Sequence, residues 1–228
     1  MSKQESKPDS FDNYWRDRLK NYPQTTEFQQ LFEQLKNELK TPDRKLARSV
    51  VVSLIGIPGS GKSTFSTLLQ EFIPALHLRS DIIGLERLPK ESDYDYYKAY
   101  VIQEALTRHY LGQGYSVIMD DNNRTSYNRE QVYQLAQSYG ARNILFNLTL
   151  PFDLAVERTQ KRDAEAGRGF RLKEQTAKDL QMFQNQIEEP TPEELTKFQV
   201  LYKVIGISEP ISKIRFRLKA DTDISILT

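Results

Sequence analysis

The chain has 228 residues, with 32 Lys and Arg against 31 Asp and Glu, so its formal net charge is +1. That length suits one globular domain with appendages or two small ones, and the balanced charge leaves nucleic acid only a local basic patch to bind. No cysteine is present, which excludes a disulfide framework, a thiolate zinc site and a cysteine nucleophile.

The first residues, Met1 to Ser10, are polar. They are expected to be disordered rather than a secretory signal. Phe28, Leu31, Phe32, Leu35 and Leu39 recur at helical spacing, Thr26 is placed to cap that helix, and Thr41-Pro42-Asp43 breaks it. Ser49 to Ile55 is a β-branched run of the kind buried on both faces of a sheet. From there the pattern alternates. A helix is expected over Lys62 to Phe72, a strand over Ala75 to Leu78, a helix over Tyr94 to Leu111 and a strand over Tyr115 to Met119. A helix over Arg129 to Tyr139 and a strand over Asn143 to Leu150 follow. A helix from Phe152 runs into the charged stretch Lys161 to Arg171, and another covers Lys173 to Ile187. After Glu209-Pro210, Ile214, Phe216 and Leu218 alternate with Lys213, Arg215 and Arg217, the mark of an edge strand with one wet face. Strands alternating with helices predict an α/β fold of three layers, with a mostly parallel sheet of about five strands. The predicted organisation is a helical extension over 1–45, a core domain over 46–205 and a terminal strand or tail over 206–228. No apolar run approaches the roughly 20 residues that span a bilayer, so no membrane partner and a cytoplasmic location are expected.

The chemistry starts at Gly56-Ile57-Pro58-Gly59-Ser60-Gly61-Lys62-Ser63-Thr64. Two glycines with four residues between them, Gly56 and Gly61, followed by Lys and Ser, form a phosphate-binding loop. The glycines let the backbone wrap closely, so that successive N–H groups face phosphate oxygens. The following helix adds the positive end of its dipole. Lys62 is placed for the β- and γ-phosphates and Ser63 for magnesium. The expected ligands are therefore ATP and Mg2+. An apolar strand before the motif and a helix after it argue against a mere glycine-rich turn.

Two carboxylates leave the next strands. Asp81 follows the second strand in Leu78-Arg79-Ser80-Asp81-Ile82, where it is placed to accept a proton from an attacking hydroxyl. The plainer alternative is that Ser80 or Asp81 caps a helix. Asp120 ends Val117-Ile118-Met119-Asp120, the usual place for the magnesium-side carboxylate of such enzymes. Asp121 is the alternative ligand, and an Asp/Asn-rich turn is the plainer reading. Tyr94, Tyr96, Tyr97 and Tyr100 either stack a base or sugar or pack on the core. His77 reads as structural and His109 as a surface residue.

The order Gly-x-Pro-Gly-Ser-Gly-Lys-Ser, then Ser-Asp-x-Ile, then Val-Ile-x-Asp-x-x-Asn-Arg resembles the kinases grouped with polynucleotide 5′-hydroxyl kinase, within the AAA-type P-loop ATP-binding proteins. Arg158 and Arg162 look like the paired arginines of that family's lid. Phe183 to Glu194, with Glu188-Glu189-Pro190-Thr191, looks like its stretch after the lid. The resemblance covers about Ser49 to Tyr202. The chain departs from it at Gly84, where the family usually carries an arginine, and at Thr159, where it usually carries an asparagine. The lid arginines also make sense physically: guanidinium groups on a closing segment stabilise the charge of a γ-phosphoryl in transfer. One helical turn puts Arg158 and Arg162 on one face, with Arg168 and Arg171 in the loop beyond. Their alternative is a solvated face paired with Glu157, Asp163 and Glu165.

Together these residues predict transfer of the γ-phosphoryl of ATP to a hydroxyl acceptor, either a polynucleotide 5′-hydroxyl or a small alcohol. The rivals are a nucleotide-dependent switch, with the Phe28/Leu31/Leu35 stripe as its partner surface, and an ATP-binding scaffold without turnover. The acceptor and the oligomeric state are not legible.

Overall fold

The computed structural model describes residues 19–88, 93–165, 172–208 and 213–215. Its centre is β1 (Val50–Ile55), six consecutive residues all buried. A strand so enclosed needs cover on both faces, which its β-branched sequence supplies. Around it stand β2 (Ala75–Arg79), β3 (Ser116–Asp120), β4 (Arg142–Thr149) and β5 (Leu201–Gly206), in the order β2-β3-β1-β4-β5. The sheet is parallel: β1 runs parallel to β3 and β4, and β4 to β5.

Alternation along β1 sorts the helices. Val50, Val52 and Leu54 point to one face and pack with Phe65, Leu68 and Leu69 of α2 (Lys62–Leu69). Ile55 joins a cluster containing Tyr133 of α4 (Ser126–Ser138) and Phe198. A third cluster joins Ile57 to Ala155 and Val156 of α5 (Phe152–Glu165) and Leu180 of α6 (Lys173–Asn185). The expected α/β architecture with five strands is therefore present.

The fifth strand is not the one the sequence pattern indicates. It is β5, whose residues are half-buried or exposed, so no clean alternation marks it. Lys213–Arg215 instead form a helical turn. Ile214 is buried in the α2-side core, and Arg215 reaches Glu71 at 2.5 Å. One buried apolar residue between two exposed cations satisfies a single helical turn as well as a strand. Phe216 and Leu218 lie outside the described residues.

The chain divides into two compact units. One comprises the described parts of Met1–Lys40 together with Arg79–His109; the other comprises Thr41–Leu78 and those of Tyr110–Thr228. In the first, Thr25, not Thr26, caps α1 (Thr26–Glu38), its hydroxyl accepting from the Phe28 N–H at 3.2 Å. Phe28, Leu31 and Leu35 are buried, so the stripe packs within its own unit rather than awaiting a partner. Phe28 meets Tyr22 edge-on, and Phe32 meets His109 of α3 (Asp93–Gly112) in the same way. Lys98 donates to Glu27 at 2.9 Å and Arg87 to Glu38 at 2.8 Å.

In the second unit a fully buried cation ties the loop after β3 to the segment after α6. Arg129, on α4, has no exposure to solvent. Its Nε and Nη2 donate to the two oxygens of Glu194 on α7 (Pro192–Lys197), at 2.7 and 2.8 Å. Its Nη1 donates to the carbonyls of Arg124 and Glu188, at 3.1 and 2.8 Å. Burial alone would lower its pKa, but the Glu194 hydrogen bonds carry it above the ordinary arginine value. Glu188 accepts from the Ser126 N–H and hydroxyl at 2.7 and 2.6 Å, and these bonds hold its carboxyl below the usual range. Thr191 caps α7, accepting from the Glu194 N–H.

Removing one partner of a buried pair leaves an uncompensated charge. Glu194→Ala is expected to cost about 3–5 kcal/mol in urea unfolding. The double replacement Arg129→Met with Glu194→Leu should recover most of that loss, because no charge is then stranded.

Candidate functional site

The loop Gly56–Ser63 leaves β1 and enters α2. Gly61 sits at the N-cap of α2 with φ +88°, and no side chain caps the helix. The first N–H groups of a helix have no partner within it, so this end stands ready for an anion. Gly59 has φ +80°. A Cβ there would stand 2.6 Å from the carbonyl oxygen of Ala155 and 2.6 Å from Thr159 Oγ1. Only glycine lets α5 back so closely onto the loop. Ile57 is buried, Pro58 and Gly59 are half-buried, and Thr64 is exposed. The hydroxyls of Ser60 and Thr159 are buried and have no hydrogen-bond partner among the described residues.

Lys62 folds back over the loop, its Nζ donating to the carbonyls of Gly56 at 2.7 Å and Ile57 at 3.3 Å. Ser63 is half-buried in the first turn of α2. Arg158 approaches the same place from α5. Its Nη1 lies 4.0 Å from the ideal Cβ position of Gly61, and its Nη2 donates to the Ile207 carbonyl at 3.2 Å. The Cγ2 of Ile207 lies 3.3 Å from the same position. A phosphate cradle thus has a guanidinium beside it.

Arg162 goes elsewhere. Its side chain is 51% exposed and bonds to its neighbour Asp163 at 3.1 Å, the solvated pairing that charge runs usually make. Arg168 and Arg171 lie outside the described residues.

Asp120 closes β3 with its side chain nearly buried, and His77 Nε2 lies 2.9 Å from its Oδ2. Just beyond, the Asn123 N–H and side-chain amide both donate to the Leu54 carbonyl, at 3.2 and 3.3 Å, which fixes the turn to the end of β1. Asp121 accepts from the N–H of its neighbour Asn122.

Asp81, in the other unit, lies in the helical turn Ser80–Ile82 directly after β2. Arg79 is the N-cap there, with no side-chain cap bond, so neither Ser80 nor Asp81 caps it. Asp81 Oδ1 accepts from the Ile82 N–H at 2.9 Å. The Arg79 guanidinium forks onto its carboxylate at 3.2 and 3.0 Å. Tyr97 and Tyr100 are half-buried and lean on each other with ring centroids 6.0 Å apart.

An ATP phosphate chain fits these residues. The helix end has no side-chain cap, Lys62 and Arg158 are cationic, and the Ser60 hydroxyl has no partner among the described residues. Ser63 and Asp120 offer the hard oxygen donors that magnesium takes. Sequence reasoning missed three contributors. The Ile207 anchor is a main-chain oxygen and carries no residue signature. Thr159 was visible only as a departure from a family pattern. The buried role of Arg129 has no local signal on a helix of mixed polarity.

Gly59→Ala should cost about 1–3 kcal/mol in thermal unfolding, from its left-handed backbone alone, and more from the clash with Ala155. Nucleotide affinity should fall with it, because the loop or α5 must move. Gly206→Ala, which meets nothing within 4 Å, should change stability by no more than about 0.5 kcal/mol.

No curated protein matches the chain by sequence. Among solved structures its fold is similar to several. One is from the PezAT chromosomal toxin–antitoxin system of Streptococcus pneumoniae, with TM-score 0.60 and 15% identity over 81% of this chain and 79% of that one. Another is Chaetomium thermophilum Kti12 in complex with ADP-AlF3, with TM-score 0.55 and 18% identity over 76% and 97% of the chains. A third is the Mycobacterium tuberculosis APS kinase CysC in complex with AMPPNP and APS, with TM-score 0.51 and 16% identity over 76% and 96%. The sequence itself matches, over residues 51–187, a family described as an AAA domain. That stretch runs from β1 through the phosphate loop, Asp120 and α5 to the end of the α6 segment, and the chain belongs to this family.

Proposed function

We propose that the chain transfers the γ-phosphoryl group of ATP to a hydroxyl-bearing acceptor, either a polynucleotide 5′-hydroxyl or a small alcohol. The observation that carries this reading is Arg158 beside Gly61 at the uncapped end of α2. A bare phosphate loop explains binding. A guanidinium held at its mouth adds the charge that a departing phosphoryl group needs. Two proteins of similar fold hold the adenine nucleotides ADP-AlF3 and AMPPNP, which supports ATP as the donor.

The roles follow from chemistry. The backbone of Gly56 to Ser63 would wrap the phosphates, with Lys62 and Arg158 offsetting their charge. Magnesium, held by Ser63 and Asp120, would neutralise phosphate oxygens when bound. Asp81 would accept the proton of the attacking hydroxyl, as its place directly after β2 suggests. Arg162 would have to leave Asp163 to contribute, so Arg158 would carry the lid charge.

The test is a screen of acceptors with labelled ATP: nucleic-acid 5′-ends, nucleosides, sugars and small alcohols. Label should pass to one class, and Lys62→Ala should abolish ATP affinity in a folded protein. Arg158→Ala should lower turnover by at least about tenfold, while Arg162→Ala leaves it near normal. Label released only as phosphate would favour the switch, and binding without turnover would favour the scaffold.

Asp81→Asn keeps size and the acceptor for the Ile82 N–H. Stability and ATP affinity should therefore survive, while transfer falls roughly 10²–10⁴-fold. Unchanged transfer in that variant would remove Asp81 as the base.

A further inference from the structure

His77 is the third residue of β2, and Asp120 is the last of β3. The two strands are neighbours in the sheet. His77 Nε2 stands 2.9 Å from Asp120 Oδ2, with the side chains 10% and 4% exposed. An ionised carboxylate has only acceptors, so the imidazole nitrogen is the donor, and a bond to a charged acceptor is among the stronger kinds. Sequence alone leaves His77 as a filler of the sheet.

Two separate anchors converge on Asp120. The main chain beyond it is held by Asn123 on the Leu54 carbonyl, through both backbone and side-chain nitrogen. The carboxylate itself is held by His77. The first anchor sets where the residue stands, and the second sets the plane of its oxygens. The Asp121 carboxylate accepts from the N–H of its own neighbour, Asn122. A ligating carboxylate is worth most when its orientation is set before the metal arrives, and partners behind a ligand typically carry a 10–100-fold share of metal affinity.

We propose that His77 is a positioning residue for magnesium at the phosphate loop: its Nε2–H holds Asp120 Oδ2, so that the carboxylate keeps one orientation toward the metal. This inference rests on the magnesium role given to Asp120 above.

The test measures binding of AMPPNP by calorimetry, once with magnesium and once with EDTA. The proteins are the full chain, Asp120→Asn, His77→Asn and His77→Gln, each with its melting temperature. Glutamine carries its amide nitrogen as many bonds from Cα as His77 Nε2, whereas asparagine stops one bond short. The two are otherwise alike, so a loss of fold would strike both. In the full chain magnesium should strengthen binding. His77→Asn should lose that strengthening by about tenfold or more, with affinity in EDTA unchanged, and His77→Gln should keep most of it. Strengthening that survives in His77→Asn but disappears in Asp120→Asn would overturn the role of His77 and leave that of Asp120 standing. Equal loss in His77→Asn and His77→Gln would likewise overturn the donor role. Strengthening that is missing from the full chain, or intact in Asp120→Asn, would overturn the magnesium reading and this inference with it.

Discussion

A guanidinium cut off from water must find partners for its charge and its donors, and Arg129 finds them on two separate stretches of chain. Its fork takes both oxygens of Glu194, while its third nitrogen takes the carbonyls of Arg124 and Glu188. Such a group cannot be left half satisfied without a cost of several kcal/mol. The loop after β3 and the segment from Glu188 to Glu194 are therefore fixed together or not at all. Asp120 and Asn123 stand at the head of that loop. The geometry behind the phosphate cradle thus depends on a charge that touches no ligand.

How much of this was legible in the sequence follows from how local each signal is. The phosphate loop was plain, because its glycines, lysine and serine do their work within nine residues and between a strand and a helix. Strands β1 to β4 were plain because each is mostly buried and reads as an apolar run. β5 was not, since a sheet edge with half-buried residues such as Leu201, Tyr202 and Lys203 leaves neither a run nor a clean alternation. Ile214 misled for the opposite reason: two cations around one apolar residue imitate an edge strand. Arg129 could not be found at all, because its partner Glu194 lies 65 residues away. Helical spacing put Arg158 and Arg162 on one face, yet Ile207 engages the first and Asp163 the second.

The N-terminal helix gains a meaning that its amphipathic pattern alone did not give. Its apolar stripe is buried in the same compact unit as the segment Arg79–His109, which carries Asp81. Lys98 on Glu27 and Arg87 on Glu38 bind the two stretches by charge as well as by packing. The extension is thus part of the scaffold around the candidate base. The family match, which begins at residue 51, does not include it.

Arg158 rests on a main-chain oxygen, and that has a consequence for how this chain can change over generations. A carbonyl is supplied by any amino acid, so any apolar residue that fills the buried place of Ile207 keeps the support. Spacing has no such latitude. Ile207 directly follows Gly206, the residue of β5 paired with Thr149, so adding or deleting one residue within β5 would shift its register and turn the carbonyl to the opposite side. The reach of this arginine is therefore set by chain length before residue type: exchange among apolar residues would keep it where a single frame of slippage would not.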